Sequence, residues 1–319
     1  FLLVVLSASA SYIAVPAVVE PATLVAVNLL WVAVVLVGGL RQARRASRIP
    51  PVEALRQSQG AEPTRARSVA RWVRVVAPVA VGVIMFALWV LIVDVLKIAP
   101  RALPSPFAVA GELVTHADII LEDMGITATN ALIGLAAGAI VAIVAAGLAA
   151  TFRPIDGMLA PLVAAIAVVP IVAITPILNT MFGASSQFGR VSIAALAAFV
   201  PVFINVLRGL RQTRPVHRDL LRASGASGSQ TFRFLTLPTA LPYLVTGLRV
   251  ASSLAVIAAL VAEYFGGPAD GIGTAIAGYA KSGKAALAFA YVAGGVAIGL
   301  AFFLVTLLLE WLVTRRRPT

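Results

Sequence analysis

The residues best suited to bind a partner lie in one basic, polar run from Arg214 to Arg249. An acidic residue, Asp219, comes first, and Gly225, Gly228 and Pro238 follow it. Glycine adopts the positive backbone angle that ends a helix, and proline favours the first turn of the next helix. The pattern therefore predicts a helix-turn-helix, a shape that a partner protein can grip.

A second set of candidates consists of polar residues and prolines within or beside long apolar runs. Polar and ionisable side chains are rare inside membranes and mark solute pathways, and backbone groups freed by proline need a protein or water partner there. These residues could line a pathway, or they could only join neighbouring helices. The set is Pro170, Pro176, Asn179, Asn205, Ser252, Ser253 and Glu263.

Catalytic and metal-binding patterns are absent from the sequence. His116 and His217 are far apart, and the chain has no cysteine. The run Gly278 to Ala285 approaches a phosphate-binding loop, but Ala285 lacks the hydroxyl that binds magnesium and no strand precedes the loop. We therefore predict that the chain is not an enzyme and binds no metal or cofactor itself.

The amino-acid composition indicates that these candidate residues belong to a membrane protein. The chain is 60% hydrophobic and 12% charged, whereas a soluble domain has roughly 25% charged residues. Apolar stretches near the length of a membrane span recur along it. We predict an all-α integral membrane protein in the cell membrane, with a two-helix transmembrane hairpin before a six-helix core.

The arginines orient this arrangement. Nine lie between Arg41 and Arg74, six between Arg208 and Arg233, and three at 315–317. Cytoplasmic segments are enriched in Lys and Arg, so all three clusters are assigned to the cytoplasm. The net charge of +12 is explained by this pattern, and no basic-aromatic interleaving suggests nucleic acid as a partner.

The proline-containing basic linker marks a domain boundary. We predict an N-terminal transmembrane hairpin with a basic tail over residues 1–57, a cytoplasmic linker over 58–74, and a transmembrane domain over 75–316. The loop over 208–240 belongs to this last domain.

The run after Arg214 resembles the coupling loop, or EAA loop, of type I ABC importer permeases. In that family a glycine stands six residues after an acidic residue, and Leu-Pro closes the loop with its proline thirteen residues later; Asp219, Gly225 and Pro238 match this spacing. Leu220 and Leu221 replace the two alanines of the motif. The resemblance implies an ATPase contact through Asp219, Leu220, Leu221, Arg222, Gly225, Leu237 and Pro238.

Two further motifs resemble the nitrate, sulfonate and taurine group of these permeases. They are the Leu-Pro-Ser-Pro run that ends at Pro106, and the Val-Ala-Glu run that ends at Glu263. Related members carry riboflavin or the pyrimidine precursor of thiamin. The resemblance implies a permease homodimer, two ABC ATPase subunits and an extracytoplasmic solute-binding protein.

We therefore predict the permease subunit of an ATP-driven importer for a small organic or anionic solute. Residues 43–56, ARRASRIPPVEALR, are similar to the C-terminal tail of MacB/FtsX-type permeases. This similarity supports an alternative function, that of an export or mechanotransmission permease. A third alternative is a passive channel, which would need no coupling loop.

Overall fold

The computed structural model describes residues 71–97, 99–183 and 186–315. The predicted N-terminal hairpin and most of the linker lie outside these residues, as does the MacB/FtsX-like tail. Within the described part of the chain the regular structure is helical, without a strand. The helices are α1 Arg71–Leu96, α2 Pro106–Thr115, α3 Ala117–Thr151, α4 Arg153–Val168, α5 Ile171–Phe182, α6 Phe188–Arg211, α7 Pro215–Ala223, α8 Gly228–Thr231, α9 Leu237–Tyr264, α10 Ile272–Lys281 and α11 Ala285–Arg315.

Four helices are long and apolar enough to cross a membrane. They are α3, α6, the continuous helix Gly228–Tyr264 and the part Ala285–Val313 of α11. The helices α4 and α5 form a pair bent by 102°, which counts as a fifth span if the pair is one broken span. The first predicted core span falls on α1, whose apolar part Val79–Val93 is shorter than a span.

Two helices are longer than a membrane span requires. Helix α1 begins at Arg71, within the predicted linker. Helix α3 begins at Ala117 and has 35 residues, whereas about 20 cross a bilayer. Asp118 lies in the first turn of α3, where an acidic side chain is favoured by the positive end of the helix dipole.

Small residues let the core helices approach closely. Gly134 and Gly138 of α3 face α6, and a Cβ atom at Gly138 would lie 2.3 Å from the carbonyl oxygen of Ala195. Such close backbone approach is the usual means of packing helices in lipid. On α11, a Cβ at Gly295 would lie against Leu260, but no atom would come within 4 Å of a Cβ at Gly299.

Large apolar side chains cover the outer faces of the same helices. On α3 they include Ile133, Ile140 and Val144, and on α11 they include Leu304 and Leu308, all more than half exposed. In water such a surface would aggregate, whereas in a bilayer it contacts acyl chains. The outward pattern therefore agrees with a membrane-embedded bundle.

Candidate functional site

The predicted coupling segment forms helix α7 and a tight turn. Gly225 ends the helix with φ of +74°. The N–H of Ala226 donates to the carbonyl of Leu221 at 2.9 Å, and the N–H of Gly225 donates to that of Arg222 at 3.0 Å. This pair of hydrogen bonds is the Schellman ending, which requires a positive φ and so favours glycine. The positive backbone angle predicted at Gly225 is present.

The next helix begins earlier than the sequence suggested. Ser227 caps α8 and exchanges hydrogen bonds with Gln230, at 3.2 Å and 2.7 Å. From Gly228 the chain stays helical to Tyr264, through a π-helical segment at Phe232–Thr236. Helix α9 itself begins at Leu237 with Pro238 in its first turn, as the sequence predicted, although the chain is already helical before it. Proline lacks the N–H of a regular turn, and the π segment directly before it absorbs that irregularity.

The coupling helix presents both apolar and acidic side chains to its surroundings. None of the residues of α7 is buried. Val216 is 73% exposed and Leu220 is 65% exposed. Asp219 has one weak ion pair within the chain, at 3.9 Å to Arg222, and both side chains are 71% exposed. An amphipathic helix with an uncovered apolar face is a surface for a partner protein.

A cavity of 470 Å³ lies between α4, α5, α6 and α9. Asn205 lines it, together with Pro201 and apolar side chains such as Leu196, Ile204 and Leu254. Of the seven predicted pathway residues, Asn205 is the one found in this lining. The sequence signal that identified it was a lone amide within an apolar run.

The two predicted prolines shape the bent pair instead. Pro170 precedes the first turn of α5, and Pro176 lies inside that helix. Neither lines the cavity, although Val169 and Ile174, close to them in sequence, do. The helix is interrupted at Pro170, between α4 and α5. Proline therefore acts here by shaping the backbone.

The predicted serines lie elsewhere on α9. The hydroxyl of Ser252 is buried, donates to the carbonyl of Arg249 at 2.8 Å and lies 3.2 Å from the hydroxyl of Thr306. Ser252 therefore joins α9 to α11, and Ser253 is half-buried outside the cavity lining. One turn away, Arg249 forms a 2.7 Å ion pair with Glu310.

Glu263 lies in a buried polar cluster at the end of α9. It is 1% exposed. The hydroxyl of Thr127 and the backbone N–H of Gly273 each donate to its Oε2 atom at 2.9 Å. Gly271 and Gly273 leave room for this side chain, because a Cβ atom at either would come within 2.7 Å of it. Glu263 therefore contributes to packing three segments together.

Arg190 belongs to the same cluster, and the sequence interpretation missed it. Its side chain is fully buried and forms a 2.6 Å ion pair with Asp270. It also donates to Gln187 and Thr274. Close by, the amide of Asn179 is 8% exposed and has no hydrogen-bond partner within the described residues. The detectable signal was a lone arginine in an apolar run.

Span-length helices with apolar outer faces indicate a multi-pass membrane protein. The chain belongs to the family of binding-protein-dependent transport system inner membrane components, whose profile matches residues 134–318. It is thus the inner-membrane permease subunit of an ABC importer, as the sequence predicted. The family favours this function over an export permease or a passive channel.

Relatives of known or assigned function support this membership. The chain is 28% identical over 201 residues to a probable ABC transporter permease protein of Haemophilus influenzae, covering 63% of this chain and 81% of the relative. It is 31% identical over 168 residues to the formylaminopyrimidine transport permease protein ThiX of Halalkalibacterium halodurans, covering 52% and 67%. It is 28% identical over 177 residues to the taurine transport system permease protein TauC of Escherichia coli, covering 52% and 63%.

Proposed function

We propose that this permease works as a homodimer driven by two ABC ATPase subunits, and that it receives its solute from an extracytoplasmic binding protein. ATP and Mg²⁺ are held by the ATPase, and this chain binds no cofactor. The solute is a small organic or anionic compound of the classes named for its relatives. Membership of a permease family supports a role as a transport subunit and not as an enzyme. The numbers of permease and ATPase subunits are those that the sequence resemblance implies.

The observation that carries this proposal is the uncovered helix α7. Its apolar residues Val216 and Leu220 contact no core, so in isolation they are exposed to water. An ATPase groove that received α7 would bury them and could donate hydrogen bonds to the carboxylate of Asp219. The residues proposed to contact the ATPase are those predicted from the sequence. Among them, Leu221, Arg222 and Gly225 form the hydrogen-bonded end of α7.

In this mechanism ATP binding closes the two ATPase subunits against each other. The coupling helices move with them, and the cavity changes from inward to outward opening. Hydrolysis then resets the ATPase dimer, and the cavity opens inward again so that the solute leaves on the cytoplasmic side. The chain contributes shape and contacts, because the bond-breaking step takes place on the partner.

The proposal is tested by two glycines that share one environment. No atom would lie within 4 Å of a Cβ at either Gly225 or Gly228, but only Gly225 has a positive φ. A β-branched residue there is strained by about 1–3 kcal/mol. Gly225→Val should abolish ATP-driven uptake and weaken co-purification of the ATPase, whereas Gly228→Val should preserve both.

A charge reversal tests the contact itself. The ion pair of Asp219 is exposed and long, so it contributes less than about 1 kcal/mol within the chain. Loss of ATPase binding in Asp219→Lys would therefore reflect a partner contact. Normal uptake in both Asp219→Lys and Gly225→Val, with normal membrane insertion, would refute α7 as the coupling site.

A further inference from the structure

We propose that the cavity selects a neutral heteroaromatic solute, anchored at Asn205, and excludes small anions. This inference rests on the importer function proposed above and specifies its substrate class. The relatives leave both classes open, because ThiX is named for a formylaminopyrimidine and TauC for the sulfonate taurine. The lining of the cavity distinguishes between them.

The cavity lining carries no charge. Among the described residues that form it, Asn205 has the single polar side chain, and the others are aliphatic or proline. The cavity is open on one side, and an anion placed against its lining would lose part of its hydration without gaining a cation or a set of donors, which is unfavourable. A flat, neutral ring would gain by burying its apolar faces against side chains such as Leu196 and Leu254.

Two cations lie close in sequence to this lining, Arg190 and Arg208, and neither lines the cavity. Arg208 is exposed near the end of α6, three residues after Asn205. Arg190 lies one turn before Ile193, which lines the cavity. Its guanidinium is fully buried, forms an ion pair with Asp270 and donates to Gln187 and Thr274. Its Nε–H has no hydrogen-bond partner within the described residues, but a sulfonate that replaced Asp270 would have to break this ion pair.

The polar groups of the cavity suit a ring edge that carries both a donor and an acceptor. Asn205 donates one N–H to the carbonyl of Pro201 at 2.8 Å. Its second N–H and its carbonyl oxygen remain for a ligand. An asparagine amide pairs in this two-bond manner with the edge of a heteroaromatic base. Pyrimidines and flavins carry such edges, whereas bicarbonate and sulfonates carry no aromatic ring.

Proline supplies a second acceptor. Pro201 lies inside α6 and has no N–H, so the carbonyl of Ala197 lacks the donor that a regular helix would provide. Both residues line the cavity. A carbonyl oxygen without its helical donor attracts N–H groups and repels anions. The size agrees as well, since 470 Å³ suits an organic molecule and far exceeds bicarbonate.

The experiment uses proteoliposomes that contain the permease with its ATPase and binding protein. The probes are riboflavin and a formylaminopyrimidine on one side, and taurine and bicarbonate on the other. We expect ATP-dependent uptake of a heteroaromatic probe alone. Asn205→Asp, which keeps the size of the side chain but replaces its donor by a charge, should reduce this uptake at least tenfold.

Two controls separate this inference from a general defect. Thr180→Val removes an exposed hydroxyl of α5 that bonds only its own helix, and it should leave uptake unchanged. ATPase activity stimulated by the binding protein reports on the importer function independently of the probe.

Three outcomes would overturn the selection of a neutral ring. They are ATP-dependent uptake of taurine or bicarbonate, normal heteroaromatic uptake by Asn205→Asp, and no uptake of any of the four probes. In each case a stimulated ATPase would show that the importer function still stands. An ATPase that the binding protein fails to stimulate would instead refute the proposed function.

Discussion

The close contact between α3 and α6 gives a prediction whose size follows from a distance. In Gly138→Ala the new Cβ atom would lie 2.3 Å from the carbonyl oxygen of Ala195, whereas ordinary contact begins at 3.4 Å. The obstructing atom is backbone, so no rotamer change can relieve the overlap and the helices must separate by about 1 Å. Overpacking of this kind costs about 1–3 kcal/mol.

Gly147 provides the matched control on the same helix. No atom lies within 4 Å of a Cβ built there. Both substitutions gain the higher helix propensity of alanine, about 1 kcal/mol, so this gain cancels in the comparison. Gly138→Ala should be less stable than Gly147→Ala by about 1–3 kcal/mol, or roughly 2–4 °C in Tm for each kcal/mol.

The measurement is thermal unfolding of both purified variants in the same lipid nanodiscs, followed by tryptophan fluorescence. A lower Tm for Gly138→Ala is expected. Equal Tm values would mean that α3 and α6 do not approach closely enough for the glycine to matter. The packing argument would then be refuted.

Two further predictions concern orientation and domain organisation. Because basic clusters mark the cytoplasmic side, single cysteines at the exposed positions Ser229 and Ser282 should react with an impermeant thiol reagent from inside and from outside, respectively; labelling of Ser229 in intact cells would reverse the topology. Removal of residues 1–57 should preserve ATPase activity stimulated by the binding protein, because the importer family match begins only at residue 134. Lost activity with normal membrane insertion would show that the hairpin is part of the machine.

The sequence was most informative where one residue type determines a local conformation. The sequence could place Gly225 at a helix end because its positive φ is determined by the residues directly around it. The contact of Gly134 and Gly138 with α6 is similarly local, since their four-residue spacing puts them on one helix face. In each case the determining information lies within a few residues.

Long-range features could not be predicted in the same way. Arg190 and Asp270 are 80 residues apart in sequence, and nothing local pairs them. Ser252 and Glu263 were chosen as pathway residues because they are polar, but polarity alone does not say whether a side chain faces a cavity or a neighbouring helix. The π segment before Pro238 was missed because it depends on how the helix continues past the proline.

The continuous helix from Gly228 to Tyr264 connects the segment after α7 with the buried cluster around Glu263. Its 37 residues extend over about 55 Å at the usual rise per residue. Its first turn follows the coupling helix, and Glu263 near its far end holds α3 and α10 together through Thr127 and Gly273. A straight helix of this length that tilts by about 5° about its midpoint moves its two ends by about 2 Å in opposite directions. An ångström-scale displacement on the cytoplasmic side therefore corresponds to a displacement of similar size where Glu263 is held.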